Sequence, residues 1–211
     1  NAVMDYQTGM YDYNVMTSTF VRIDGKGALG VPVKVSMSMQ EWCGHVYEQL
    51  LPSEDAVQWT SHSYFDGEGD RQTPYPLRGG AVFLDALPVL VRGLVGELKD
   101  GTYDAFPTLV SGRYAHKPPA WTSVTVSRSN VPSQVTVPAG TFEVVQVTTE
   151  VDGVRTVWSV ESAAPHHLVR WERSDGEVAE LLGTDRIAYW QQNKPGGEDL
   201  LPSIGLPVPT W

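Results

Sequence analysis

The amino-acid sequence predicts a mainly β protein: a curved antiparallel sheet or half-open β-barrel, with one helix covering or plugging its open side. Three observations carry this expectation. Stretches rich in Val, Thr, Ser and Tyr alternate apolar with polar side chains, the period of a half-buried strand. Twenty glycines and fifteen prolines among 211 residues supply frequent turns. Only one segment places apolar residues at helical spacing.

The elements follow in chain order. Met10 to Ile23 contains no Pro or interior Gly and reads as a strand ending at the Asp24-Gly25 turn. From Val33 to Tyr47 the odd positions Val33, Val35, Met37, Met39, Glu41, Cys43, His45 and Tyr47 form one face of a single strand. At roughly 3.3 Å per residue that strand is about 50 Å long, and Gly44 is its natural bend or bulge. Val57 to Phe65 resumes the alternation, and Asp66-Gly67-Glu68-Gly69-Asp70 reads as a solvated acidic turn without the spacing of a calcium loop.

The helix is expected from Val82 to Gly96, with Phe83, Leu84, Leu87, Leu90, Val91 and Leu94 on its apolar side and Pro88 imposing a kink or a late start. Asp100 to Pro119 is irregular, with a short strand at Phe106 to Ser111. A meander then runs through Trp121 to Arg128, Gln134 to Val137, Thr141 to Val151, Val154 to Glu161, His167 to Arg173 and Glu177 to Tyr189. Asp152-Gly153 and Asp175-Gly176 mark two of its hairpins. The chain is thus expected to form one domain over residues 1–190, followed by an extended Pro/Gly-rich strap over 191–211.

Charge narrows the partners. Twenty-five acidic against fifteen basic residues give a formal charge of -10, without a Lys/Arg run. Nucleic acid and anionic membrane surfaces are poor partners for such a chain. No run of eighteen apolar residues is present, so no membrane span is expected. The single cysteine cannot form an internal disulfide.

Two stretches carry a family resemblance. Val137 to Trp190, with Val-Pro-Ala-Gly-Thr-Phe-Glu-Val, Val-Trp-Ser-Val-Glu and Ala-Pro-His-His-Leu-Val-Arg-Trp-Glu, resembles an uncharacterised family of exported bacterial proteins. Thr8 to Leu50, with Thr-Gly-Met-Tyr-Asp-Tyr-Asn-Val-Met-Thr-Ser-Thr-Phe and Gln-Glu-Trp-Cys-Gly-His, is similar to secreted or lipid-anchored Gram-negative proteins often mislabelled as septum-formation inhibitors. The resemblance implies a half-barrel like that of the lipoprotein-localisation carriers, a periplasmic or cell-surface location, and further strands upstream of Asn1. It implies no assigned activity and no catalytic residues.

Candidate sites follow from residue chemistry. Cys43 and His45, two positions apart on an extended strand, pair a thiol with an imidazole, and Glu41 on the same face would orient the ring as a Cys-His-Glu set. A metal there would draw on His62, His116, His166 or His167, but no ligand spacing selects among them. No metal and no cofactor is therefore expected, and a packed cysteine beside a core histidine is the plain alternative. His166-His167 reads as a turn with one packed and one solvated ring. Met37, Met39, Tyr47, Trp158 and Trp171 are the candidate ligand-binding residues: flexible thioethers and aromatic faces on a concave wall. No Gly-x-Ser-x-Gly elbow, phosphate loop, dinucleotide fingerprint or zinc-helix motif occurs. The leading expectation is a noncatalytic exported protein that binds an apolar or amphipathic molecule, or a protein partner. An enzyme using Cys43, His45 and Glu41, with Tyr47 as proton donor, and a structural subunit of an envelope assembly are the alternatives.

Overall fold

Alternation and turn chemistry produce hairpins throughout the chain, whose computed structural model describes residues 1–209 apart from the side chain of Asn130. The strands are β1 (Ala2–Thr8), β2 (Tyr11–Phe20), β3 (Lys34–Glu41), β4 (Gly44–Pro52), β5 (Ala56–His62), β6 (Arg71–Pro76), β7 (Val82–Phe83), β8 (Gly101–Phe106), β9 (Thr122–Val137), β10 (Gly140–Val151), β11 (Val154–Glu161), β12 (Leu168–Arg173) and β13 (Val178–Glu180). Two short α-helices, α1 (Leu87–Leu90) and α2 (Leu109–Tyr114), accompany them. The protein is mainly β, and neither of its sheets closes into a barrel. The chain groups into two compact units, Asn1–Val126 and the part from Ser127 onward, and the segment expected to be a strap falls within the second.

In the first unit, β1 to β6 form an antiparallel six-stranded meander in sequence order. Burial alternates along its middle strands: Val35, Met37 and Met39 of β3, Val46, Glu48 and Leu50 of β4, and Val57, Trp59 and Ser61 of β5 all point to one covered face. Each fully buried Leu or Val on that face contributes roughly 2 kcal/mol of hydrophobic stabilisation. Thr19 of β2 donates its hydroxyl to the Asp85 carbonyl at 3.1 Å, tying the sheet to the segment before α1. Phe83 and Phe106 stack at 5.1 Å, with Trp121 edge-on to Phe106 at 5.0 Å and Arg78 lying 4.9 Å over the Trp121 ring. There β7 pairs in parallel with β8, and β8 pairs antiparallel with Thr122–Val126 of β9.

In the second unit the remainder of β9 is followed by β10, β11, β12 and β13 as successive neighbours. Asp152 and Gly153 both adopt positive φ, 49° and 79°, the left-handed pair that a two-residue hairpin turn requires. Val137, Val144 and Val169 are buried together, with Val135, Ala139, Phe142 and Leu181 packed against them.

Five expectations need correction. The strand expected over Glu177 to Tyr189 is β13 alone and ends at Glu180. The strand expected over Val33 to Tyr47 is a hairpin: Trp42 and Cys43 form a two-residue turn, and Glu41 pairs with Gly44. The helix expected over Val82 to Gly96 shrinks to α1 after a 3-10 turn at Leu84–Ala86, because Pro88 can occupy only the first turn and Gly93 is left-handed at φ 71°. Phe106 to Ser111, expected as a strand, contains the start of α2, which Thr108 caps by accepting from the Ser111 N–H at 3.3 Å. The C-terminal strap is not wholly extended, since Gly197–Ile204 winds into a 3-10 helix.

Candidate functional site

The Trp42-Cys43 turn decides the fate of the thiol and imidazole pair. A two-residue turn reverses the chain without preserving the parity of one strand, so the covered face passes from odd positions on β3 to even positions on β4. His45 and Tyr47 consequently lie on the opposite face from Met37 and Met39. His45 and Cys43 are both exposed, and among the described residues no hydrogen bond joins Cys43 to an imidazole. Glu41 instead accepts from the Cys43 backbone N–H at 2.8 Å and from the Tyr64 hydroxyl. Those two bonds, the Tyr64 one foremost, hold its carboxyl below the ordinary range, and its own hydrogen bond to the Cys43 side chain, then its charge, push that thiol up. A raised thiol is the opposite of what a cysteine nucleophile needs. Gly44 is required by space: a Cβ there would lie 2.6 Å from the Tyr64 ring.

The candidate ligand residues separate in the same way. Met37 and Met39 are sealed in the core at 0% and 4% exposure and line no open wall. Tyr47 stacks on His62 on the outer face, with ring centroids 6.3 Å apart, and donates to Gln49 at 3.0 Å. In the second unit Trp158 and Trp171 are direct cross-strand partners, 5.9 Å apart. Their indole N–H groups are taken by Thr149 at 2.8 Å and Glu177 at 3.0 Å. The two adjacent histidines also depart from expectation. His166 Nδ1 lies 3.1 Å from the Glu161 carbonyl and His167 Nδ1 lies 2.7 Å from the Glu161 carboxylate, so both rings fold onto one residue. A left-handed His166, φ 58°, breaks the strand alternation that would have separated them.

The structure assembles two other features in the first unit. One is a polar cleft on the covered side of the sheet. Thr17, Met37, Glu48, Ser61 and Arg71 are successive cross-strand partners from β2 to β6, and this row carries an acid, a hydroxyl and a guanidinium side by side. Gly112 and Arg113 of α2 and the following His116, Lys117 and Pro118 face it across a space of about 290 Å³, open solvent included. Trp59 donates its indole N–H to Glu48 at 2.8 Å; burial nevertheless raises the Glu48 carboxyl above its ordinary value.

The buried Arg113 guanidinium pairs with Glu68 and lies 4.6 Å from the Phe65 ring. Glu68 also accepts from the Ser63 hydroxyl at 2.7 Å, and His116 Nδ1 lies 2.7 Å from its other oxygen. Led by the Arg113 bond, these partners hold Glu68 down at about 2. The acidic turn containing Glu68 was expected to be solvated; its central carboxylate is turned inward. Nothing in the local pattern separates Glu68 from Asp66 or Asp70, because its partner lies forty-five residues away.

The other feature is the uncovered end of the same sheet. β1 is its outermost strand, and all of its residues but Thr8 are exposed. Tyr6 and Tyr13 are cross-strand partners with parallel rings 5.3 Å apart, Tyr11 lies 5.8 Å from Tyr13, and Trp42 lies 6.3 Å from Tyr11. Met4 continues the strip beside Val15, and the Tyr6 hydroxyl donates to that of Tyr114 at 2.8 Å. Asp5 and Asp12 stand on β1 and β2 with the tyrosines, two strands that carry no Lys or Arg, and Glu41 directly precedes Trp42.

Among the described residues no group of three or more His, Cys, Asp or Glu is arranged to hold a metal ion. No helix there is long and apolar enough to cross a membrane. No protein-family model, curated protein or solved structure matches this chain.

Proposed function

We propose that the protein is a noncatalytic binding protein that takes an extended, amphipathic partner segment along strand β1. The observation that carries this reading is the open sheet edge: β1 has a neighbour on one side only, and the aromatic strip lies beside it. Unpaired backbone groups of an edge strand give affinity to any extended chain, and side chains at alternate positions give selectivity. Met4, Tyr6, Tyr13 and Trp42 would receive apolar side chains, while Asp5, Asp12 and Glu41 favour a basic segment over an acidic one. A location in the cell envelope rests on the family resemblance alone. The Cys43 enzyme reading is weakened by the raised thiol and by the lack, among the described residues, of any hydrogen bond between Cys43 and an imidazole.

A synthetic peptide alternating valine with lysine tests the proposal. Binding should quench or shift Trp42 emission and slow amide hydrogen exchange in β1, and Tyr6→Ala with Trp42→Ala should weaken it at least tenfold. A peptide that binds without protecting β1 amides would remove the basis of the reading. Self-association through β1, measured as a dimer mass in solution that Asp5→Pro abolishes, would instead favour the structural-subunit alternative.

A further inference from the structure

We propose that the cup between two 3-10 segments near the C-terminus, Tyr189–Gln191 and Gly197–Ile204, is a binding site for a small neutral molecule built on one aromatic ring. The cup belongs wholly to the second unit and does not rest on the reading given for β1. Its walls, its volume and the chemistry of its lining converge on that ligand.

The walls are fixed by the chain's own backbone. In a 3-10 helix side chains three residues apart eclipse, so Leu201 and Ile204 stand on one face of Gly197–Ile204. They line the cup together with Leu200, Ile187 and Tyr189. Both ends of that helix are held by close backbone approach: a Cβ on Gly197 would collide with the Gln192 carbonyl, and one on Gly183 would lie 2.6 Å from the Ile204 carbonyl carbon. The Ser203 hydroxyl adds a bond to the Asp185 carboxylate at 2.8 Å. These ties preform the cup.

Its volume is about 180 Å³. An apolar cavity of about 150 Å³ lined by Leu, Ile and Phe takes up benzene, so the space admits one six-membered ring and little more. The apolar side chains around it remain in contact with water: Ile187 and Leu200 are exposed, and Tyr189 is 74% exposed. A seated ring removes that surface from water, and this is the driving force for its binding.

The lining selects for charge and for aromaticity. Among the described residues it contains no Lys, Arg, Asp or Glu, so a charged ligand would lose its hydration without gaining a partner. Tyr189 offers an aromatic ring, set nearly perpendicular to that of Trp190 at 5.4 Å, and a second ring packed against it gains more than its buried area alone supplies. Gln192 and Ser203 are the polar part of the lining, and the side-chain oxygen of either can accept one O–H or N–H of the ligand.

Phenol titrated into the full chain tests the site, with the methyl resonances of Ile187, Leu200 and Ile204 as readout and benzoate and cyclohexanol as comparisons. Saturable phenol shifts at those methyls are expected, with benzoate and cyclohexanol binding at least fivefold more weakly. Ile204→Ala, and Leu200→Trp, which fills the cup from an exposed position, should each weaken phenol binding at least fivefold. Val131→Ser, which removes an exposed apolar side chain of β9, should leave it unchanged. Leu200→Trp keeps the test sound if Ile204→Ala lowers the melting temperature. The proposal is overturned if phenol gives no saturable shift at those methyls, if benzoate or cyclohexanol binds as well as phenol, or if Leu200→Trp binds phenol like the parent chain. A dimer in solution whose contact already protects those methyls would also overturn it, making the cup an interface between copies.

Discussion

Arg113 and Glu68 form a two-point ion pair, Nη1 to Oε2 at 2.5 Å and Nη2 to Oε1 at 3.1 Å, joining α2 to the loop between β5 and β6. The guanidinium is 4% exposed, so its charge has been withdrawn from water and depends on that carboxylate.

Removing the partner should therefore cost more than removing a surface ion pair. Glu68→Ala is expected to destabilise the first unit by about 3 kcal/mol in chemical denaturation, since it leaves a buried cation uncompensated. Acid should act in the same direction. The Glu68 pKa is depressed to about 2, so its stabilisation is present above the ordinary carboxylate value of 4.5 and is lost as pH falls toward 2. Melting temperatures measured between pH 6 and pH 2.5 should converge for the parent and Glu68→Ala.

Asp85 has the opposite sign. Burial pushes its carboxyl up to about 7, the nearby Glu48 charge adds to the shift, and the Leu109 N–H, donating to it at 3.1 Å, opposes it. A raised value means that its contribution is full below the ordinary value of 3.8 and fades as pH rises through 7. Asp85→Asn keeps an acceptor for Leu109 and removes the charge. It should stabilise the protein by about 2 kcal/mol at pH 8 and by little at pH 4, read from melting temperatures.

Cys43 should react slowly for an exposed thiol because of its neighbour. Glu41→Gln removes the charge that raises it, and the rate of modification by a disulfide reagent at pH 7.5 should rise about threefold. An unchanged rate would mean that Glu41 does not control the thiol.

Trp158 donates to Thr149 in the buried part of the second unit. Trp158→Phe should cost about 2 kcal/mol, combining lost packing with an orphaned hydroxyl. Adding Thr149→Val should recover about 1 kcal/mol of that loss, because the pair is then apolar on both sides.

The β class, the hairpin turns and most strands were legible because alternation and Asp-Gly pairs are local signals. β11, expected over Val154 to Glu161, occupies those residues. The candidate sites were less legible, and the reason is parity. Reading Val33 to Tyr47 as one strand placed Met37, Cys43 and Tyr47 on a common face, whereas the chain reverses at Trp42 and Cys43, just before the Gly44 expected only to bend it. The cleft was invisible for a different reason. Its row of Glu48, Ser61 and Arg71 exists only through the register of three strands, and its far wall comes from α2, read in sequence as the end of a strand. Pro88 did announce the late start of α1; it could not announce how soon the helix ends.

The parity reversal at Trp42 and Cys43 also sets how this hairpin tolerates insertions. One extra residue at the tip, with β3 held in place, would turn β4 inside out: Val46, Glu48 and Leu50 would meet water while His45, Tyr47 and Gln49 entered the interior. The acid of the cleft and the apolar backing of the sheet would vanish together, so length at this bend is guarded more strictly than the identity of either residue occupying it.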